Sequence, residues 1–169
     1  LAQHYPQITS HTESLATGSP SILLRWPGKD SQLPAVLLMA HQDVVPVAPG
    51  TEEQWTHPPF SGAIAEGFVW GRGAIDSKGS MVAILEAVET LMAQGFQPQR
   101  DVLLAFGHDE EIGGHQGNRR IAAQLQEQGK RLAWVSDEGG FVVRGQIPGV
   151  SQDVAVVGIA EKGYVSLTL

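Results

Sequence analysis

The sequence of 169 residues contains no cysteine. Disulfide bonds and thiolate metal sites are therefore excluded. Any metal must be held by imidazole and carboxylate groups. Basic residues are also few, with 11 Lys and Arg against 18 Asp and Glu, which gives a formal net charge of −7. An acidic chain of this kind is a poor partner for nucleic acid or for an anionic membrane surface.

Long apolar runs and targeting signals are missing as well. No apolar run approaches the roughly 18 residues that a membrane-spanning helix needs. No secretory signal is visible either, and a cytoplasmic location is favoured. The hydrophobic share of 42% and the charged share of 17% are typical of a globular protein, and the length suits one domain with a sizeable core.

Apolar runs alternate with amphipathic segments along the chain. The runs at 21–26, 35–40, 102–106, 132–136, 141–143, 154–160 and 164–169 predict strands, and 62–70 predicts a hairpin. Helical spacing predicts helices at 80–94 and 117–128, with a weak helix within 1–18. The alternation predicts an α/β fold, with three α/β/α layers around a largely parallel central sheet. A long loop with aromatic anchors, 46–62, is of the kind that usually has a function.

Seven side chains with metal-binding or acid–base chemistry follow predicted strands or precede a predicted helix: His41, Asp43, Asp76, Glu110, Glu111, Asp137 and Glu138. Parallel strands bring such groups to one edge of the sheet. Carboxylates crowded there repel one another, and divalent cations about 3.5 to 4 Å apart that share a bridging carboxylate remove the conflict. One imidazole with several carboxylates suits Zn²⁺, with Mn²⁺ or Co²⁺ as other occupants.

Each of these residues also has a structural explanation. His41 could be a core histidine satisfied by a backbone carbonyl, Asp43 could cap a turn, and Asp76 could be the N-cap of the next helix. Asp137 and Glu138 could simply be solvated. Their shared placement at strand ends favours a common site. Nucleotide binding is disfavoured, because the glycine-rich turn 71–79 matches neither the dinucleotide nor the phosphate-loop pattern.

Four motifs resemble, in order and spacing, those of the M20 metallopeptidases, which include aminoacylases, Gly-X carboxypeptidases and N-acyl-amino-acid hydrolases. The motifs are His41-x-Asp43-Val44-Val45-Pro46, Gly71-Arg72-Gly73-Ala74-x-Asp76-x-Lys78-Gly79, Asp109-Glu110-Glu111-x-Gly113-Gly114 and Asp137-Glu138-Gly139. The segments 55–60 and 137–140 are most similar to the carboxypeptidase S/PM20D1-like branch. The resemblance spans roughly residues 35–169 and implies a zinc-exopeptidase-like fold.

The resemblance implies a dinuclear zinc-dependent hydrolase of amide bonds in peptides or N-acyl amino acids. In that pattern His41 and Glu138 bind one zinc, with Asp137 as the alternative to Glu138. Glu111 binds the other zinc, and Asp76 bridges the two. Glu110 is the base that takes a proton from the attacking water and passes it to the leaving amine. Asp43 orients His41 and fixes its tautomer.

The resemblance also implies that the chain is a fragment. Residues 1–162 correspond to the N-terminal part of the catalytic domain, and 163–169 to the start of a lid or dimerisation domain. Family members carry a late histidine ligand, and no histidine follows His115 here. Together with the initial Leu1, this predicts a truncated chain of weak or no activity, from a parent that could be a homodimer. The alternative is a metal-poor binding module that retains the fold.

Overall fold

The structure is a computed structural model and describes residues 1–160. The chain divides into two compact units, one of Leu1–Asp137 and a second that begins at Glu138. The predicted strand at 164–169 and the predicted domain boundary after residue 162 lie outside the described residues. That boundary stays a prediction.

The described residues contain nine strands: β1 (Glu13–Leu15), β2 (Ile22–Trp26), β3 (Ala35–His41), β4 (Ala63–Ala65), β5 (Phe68–Trp70), β6 (Val102–Gly107), β7 (Leu132–Ser136), β8 (Phe141–Arg144) and β9 (Asp153–Val156). They also contain three α-helices: α1 (Pro6–His11), α2 (Ser80–Ala93) and α3 (Asn118–Glu127). Every strand and helix predicted within 21–160 is present, with bounds shifted by a few residues. The edge strand β1 was not predicted.

Five strands of the first unit form one sheet in the order β1-β2-β6-β3-β7. β6, β3 and β7 run parallel, while β1 and β2 pair antiparallel. The predicted α/β class is confirmed, and the sheet is mixed. The reason lies in the connections: β1 and β2 are joined by residues 16–21 alone, and a parallel pair needs a crossover of about a dozen residues or more.

Helices cover both faces of β6, the buried central strand. Leu104 and Phe106 of β6 pack with the residues of α1 and α2, whereas Leu103 and Ala105 pack on the side of α3. Alternate residues of a strand point to opposite faces, so a fully apolar strand needs cover on both sides. The three predicted layers are therefore present.

Smaller hairpins complete the described chain. β4 and β5 pair antiparallel across a turn at Glu66 and Gly67, both with positive φ. The loop before them contains one 3₁₀ turn, Glu52–Gln54. In the second unit β8 pairs with β9, and Arg144 forms an ion pair with Asp153 at 2.5 Å.

None of the helices within residues 1–160 has the length and apolar character needed to cross a bilayer. The favoured cytoplasmic location stays a prediction.

Candidate active site

The ends of β3 and β6 bring His41 beside the acidic turn. His41 is the last residue of β3 and pairs in register with Gly107, the last residue of β6. The amide of Gln42 continues the pairing by donating to the Gly107 carbonyl at 2.8 Å. The chain then turns through a short 3₁₀ helix, Glu110–Ile112. Two neighbouring parallel strands thus deliver the imidazole and the two glutamates to the same sheet edge.

The His41 ring is buried, with 1% of its side chain exposed, and acids lie on both sides of it. Nδ1 lies 3.0 Å from the backbone oxygen of Asp43 and 3.3 Å from its carboxylate. Nε2 lies 2.8 Å from Oδ1 of Asp76 and 3.9 Å from Oε2 of Glu110. Nδ1 thus has the backbone carbonyl contact expected of a structural core histidine. Nε2, in contrast, faces the carboxylates of Asp76 and Glu110, as expected of a residue in a functional site.

The glycine-rich turn before α2 positions Asp76. Oγ of Ser77 accepts the buried backbone N–H of His41 at 3.0 Å, which ties the turn to the end of β3. The Asp76–Ser77 peptide bond is cis. Because α2 begins at Ser80 without a side-chain cap hydrogen bond, Asp76 does not serve as its N-cap. Its carboxylate points instead to His41.

The carboxylate of Asp43 holds the acidic turn. Oδ1 accepts the amide hydrogen of Glu110 and Oδ2 that of Glu111, each at 3.1 Å. The Glu111 carboxylate in turn accepts the Val45 amide hydrogen at 3.2 Å. Burial alone raises the pKa of Asp43, but these two amides and the charge of His41 outweigh it, so the pKa lies below its ordinary value. Asp43 does cap a turn, and that turn carries the candidate base.

The Glu110 carboxyl is shifted in the opposite direction. Partial burial raises its pKa, His41 opposes the rise, and the negative charges of Glu111, Asp43 and Asp76 add to it. The net pKa lies above the ordinary glutamate value. A carboxylate with a raised pKa is a better proton acceptor near neutral pH.

The donor atoms at this edge fit a divalent cation. His41, Glu110 and Glu111 each offer one ligand atom, and these atoms lie within 4.8 Å of one another. If the Nδ1 proton of His41 is donated to the Asp43 carbonyl, Nε2 carries a lone pair. Its 2.8 Å contact with the acceptor Oδ1 of Asp76 then requires a proton or a cation between them. Imidazole nitrogen with carboxylate oxygens is a zinc-type donor set.

Asp109 is a buried residue of the site for which the sequence predicted no role. It is 7% exposed; its Oδ2 accepts the Gln116 amide hydrogen at 2.7 Å, and its backbone oxygen accepts that of Gly114 at 2.7 Å. A Cβ on Gly117 would lie 2.3 Å from Asp109 Oδ1. Gly117 is therefore the one sequence feature that could have indicated a buried Asp109, because a Cβ at position 117 would clash with the Asp109 carboxylate. Asp109 closes the loop that presents Glu110 and Glu111.

The remaining predicted ligands follow β7. β7 runs parallel to β3 with Ser136 opposite Leu38, so Asp137 leaves β7 at the end where His41 leaves β3. Glu138 is the first residue of the second unit. Both side chains are exposed to solvent.

Residues 37–159, well over half of the chain, match the family described as peptidase family M20/M25/M40. The chain belongs to this family. The resemblance predicted from the four motifs is thus confirmed.

Two family relatives are the N-fatty-acyl-amino acid synthase/hydrolase PM20D1 of Xenopus tropicalis, 44% identical over 167 residues, and the probable carboxypeptidase S-like 2 of Dictyostelium discoideum, 42% identical over 168. Each alignment covers 98% of this chain and 32% of the relative. The chain therefore spans about a third of the length of the curated relatives it matches.

Among solved structures, an M20 family metallo-carboxypeptidase from Sulfolobus solfataricus, Sso-CP2, superposes with a TM-score of 0.59 at 26% identity. The match covers 75% of this chain and 27% of that one. The α/β fold is thus that of a peptidase family whose solved members include a metallo-carboxypeptidase.

Proposed function

We propose that this chain carries part of the active site of a dinuclear zinc hydrolase that cleaves amide bonds in peptides or N-acyl amino acids. The observation that carries the proposal is the convergence of four groups at one sheet edge: Nε2 of His41 lies 2.8 Å from Asp76, and polar atoms of His41, Glu110 and Glu111 lie within 4.8 Å of one another. His41, Asp76 and Glu111 would hold metal there, and Glu110 would stand beside them as the base. The names of the relatives support both substrate classes, since one is an N-fatty-acyl-amino acid synthase/hydrolase and another is carboxypeptidase S-like.

The metals would be held as the family motifs imply. His41 and Glu138 would hold one zinc, Glu111 the other, and Asp76 both. For Glu138, or for Asp137 in its place, the proposal follows the family motif. Such ions, or cobalt or manganese instead, lower the pKa of a coordinated water towards about 7 and polarise a carbonyl.

Proton transfer would fall to Glu110. Its carboxylate would take a proton from the water that attacks the amide carbon and pass this proton to the nitrogen of the leaving amine. Partial burial raises the pKa of Glu110, which suits a group that must hold the proton briefly. Asp43 would keep Glu110 in place through the amide hydrogen bond and would orient His41.

We further propose that residues 1–162 are the N-terminal part of a catalytic domain and that 163–169 begin a lid or dimerisation domain. The full-length protein would be a homodimer in the cytoplasm. These proposals rest on the family resemblance, and size-exclusion chromatography with light scattering tests the dimer.

Metal binding is tested on the chain itself. Zn²⁺ is added to the metal-free chain, excess ion is removed, and bound zinc is measured by mass spectrometry of the metal. We expect His41→Ala to lower bound zinc, whereas His4→Ala, at an exposed position, leaves it unchanged. If the wild-type chain binds no zinc, the competing hypothesis of a binding module without metal is favoured.

Catalysis is tested by Glu110→Ala in a full-length protein bearing this sequence, with an N-acyl amino acid and a dipeptide as substrates. Turnover should be abolished while metal content stays largely intact, because Glu110 moves protons and the other acids bind metal. Glu127→Ala, which removes an exposed acid on α3, is the matched control. Wild-type turnover in the Glu110 variant would remove Glu110 from the mechanism.

A further inference from the structure

An exposed apolar strand forms one edge of the five-stranded sheet. β7 is the last strand in the order β1-β2-β6-β3-β7, so β3 alone pairs with it among residues 1–160. Its residues Leu132, Trp134 and Val135 are 37%, 54% and 48% exposed. A strand of this composition in a parallel sheet is ordinarily buried on both faces. β7 therefore offers apolar surface that another strand could cover.

The opposite edge of the sheet has a different character. β1 contains only three residues, and its Glu13 and Ser14 are exposed. Short edge strands and charged side chains are among the features that prevent proteins from pairing edge to edge. β7 has five residues, and none of them is charged. Of the two edges of this sheet, β7 is thus the one suited to the addition of a strand.

The residues that flank β7 carry opposite charges. Arg131 precedes the strand, Asp137 follows it, and both residues are exposed. Trp134 lies midway between them in the sequence. Two copies of β7 related by a two-fold axis run antiparallel, because such an interface brings the same surface of each copy together. With the axis at Trp134, Arg131 of each copy lies opposite Asp137 of the other.

We propose that β7 pairs antiparallel with β7 of a second copy of this chain, which joins the two sheets into one. The proposal uses residues of the first unit alone and does not depend on the proposed hydrolase or on a lid domain. The opposite charges specify the antiparallel register, since a parallel pair would place Arg131 beside Arg131 and Asp137 beside Asp137. The two Trp134 rings meet at the axis as a cross-strand aromatic pair.

The first test measures the mass of the chain by sedimentation equilibrium, with a chelator present so that no metal bridges two copies. We expect a reversible dimer at micromolar concentrations. Val135→Lys should give a monomer, because a lysine on an edge strand opposes strand pairing. Val69→Lys is the matched control, since Val69 is 63% exposed on β5, and this variant should dimerise like wild type.

Circular dichroism of each variant confirms the fold before masses are compared. A wild-type chain that stays monomeric would overturn the proposal. A dimer that folded Val135→Lys leaves intact would overturn it as well.

The second test reverses the charges that specify the register. Arg131→Asp should weaken dimerisation about tenfold, because each copy then places an acid opposite Asp137 of the other. Adding Asp137→Arg restores an opposite-charge pair, so the double variant should dimerise like wild type. Arg119→Asp, a reversal at an exposed position on α3, is the control and should leave the dimer unchanged. If the second substitution failed to restore dimerisation, the proposed pairing would be wrong.

The third test uses the absence of cysteine from the sequence. In Trp134→Cys the two thiols of a dimer lie at the axis, where opposed residues of antiparallel strands have Cα atoms about 4.5 to 5.5 Å apart. A disulfide spans such a separation. Oxidised glutathione should therefore link two copies of this variant much faster than two copies of Val69→Cys. Equal rates of linkage would contradict an axis at Trp134.

Hydrogen exchange distinguishes a second copy from cover by the same chain. If two copies pair, the protection of the β7 amides rises with protein concentration. Protection that is the same at every concentration would mean that residues of the same chain cover the edge, and it would overturn the proposal.

Discussion

Oδ1 of Asp43 accepts the amide hydrogen of Glu110 at 3.1 Å. Asp43, two positions after the ligand candidate His41 at the end of β3, therefore sets the position of the candidate base Glu110, which follows the neighbouring strand β6. Oδ2 does the same for Glu111. The three catalytic and ligand candidates His41, Glu110 and Glu111 are thus held by one carboxylate.

The first prediction concerns this carboxylate. In a full-length protein bearing this sequence, Asp43→Ala should lower kcat/KM and zinc affinity about 10- to 100-fold, because the imidazole and the acidic turn both lose their support. Asp43→Asn retains one hydrogen-bond acceptor, so its kcat/KM and zinc affinity should fall less than those of Asp43→Ala. Steady-state kinetics and metal content measure both effects. Asp30→Ala is the control, since Asp30 is exposed and caps only its own turn through Gln32. If Asp43→Ala lowered kcat/KM and metal content no more than Asp30→Ala does, Asp43 would not have the positioning role.

The second prediction concerns Asp109 and Gly117. Gly117→Ala should lower the free energy of unfolding by about 2 kcal/mol, because the new Cβ would lie 2.3 Å from Asp109 Oδ1. Asp109→Ala removes the hydrogen bond to Gln116 but makes room. In the double variant the 2.3 Å contact is absent, and only the milder contacts of the Cβ with Ser21 Oγ at 3.1 Å and with the His108 amide nitrogen at 3.2 Å remain. The double variant should therefore lose less stability than the sum of the two single losses. Urea unfolding of the four proteins measures this coupling, and full additivity would contradict it.

The third prediction concerns the turn that carries Asp76. Gly73 has φ of +80°, and a Cβ there would lie 2.3 Å from Cγ1 of Val44. Gly73→Ala should therefore lower stability by about 2 kcal/mol and reduce bound zinc. Gly71→Ala is a matched control two residues away, where the nearest atom to a Cβ is 3.5 Å distant. Thermal unfolding and metal content distinguish them, and equal effects would be inconsistent with this geometry.

The fourth prediction concerns the opposite edge of the sheet, where buried Asp101 accepts hydrogen bonds from Arg25, the Gly28 amide and Lys130. Burial raises its pKa, but these partners outweigh burial, so the folded-state pKa lies below the ordinary 3.8. The unfolded chain then binds the proton more readily than the folded one. This stabilisation is complete well above pH 3.8 and is lost as pH falls through the folded-state pKa.

Asp101→Asn should therefore lower the free energy of unfolding at pH 7 by about 2 kcal/mol. Its free energy of unfolding should also fall less steeply between pH 7 and acid than that of the wild type. Urea unfolding from pH 7 down to pH 3 gives both quantities. Glu127→Gln, at an exposed position on α3, should leave the pH dependence as it is in wild type. If Asp101→Asn also left it unchanged, the ion cluster would not be its source.

Local sequence pattern predicted most of the elements and the family. The run 102–106 is apolar at every position and becomes β6, whose two faces are both covered. The helical spacing of 80–94 becomes α2. These predictions succeed because side-chain periodicity reports directly on which faces are buried. The mixed sheet was less predictable, since strand order depends on contacts between distant segments.

The sequence by itself determined which residue types are available to the site: one imidazole and several carboxylates at strand ends, and no thiol. Tertiary structure alone decided how they meet. The hydrogen bonds from the Glu110 and Glu111 amides to Asp43, and the contact of Asp76 with His41, join residues that are 35 to 68 positions apart. Strand register and turn conformation create such contacts, and both arise only when the whole sheet is assembled.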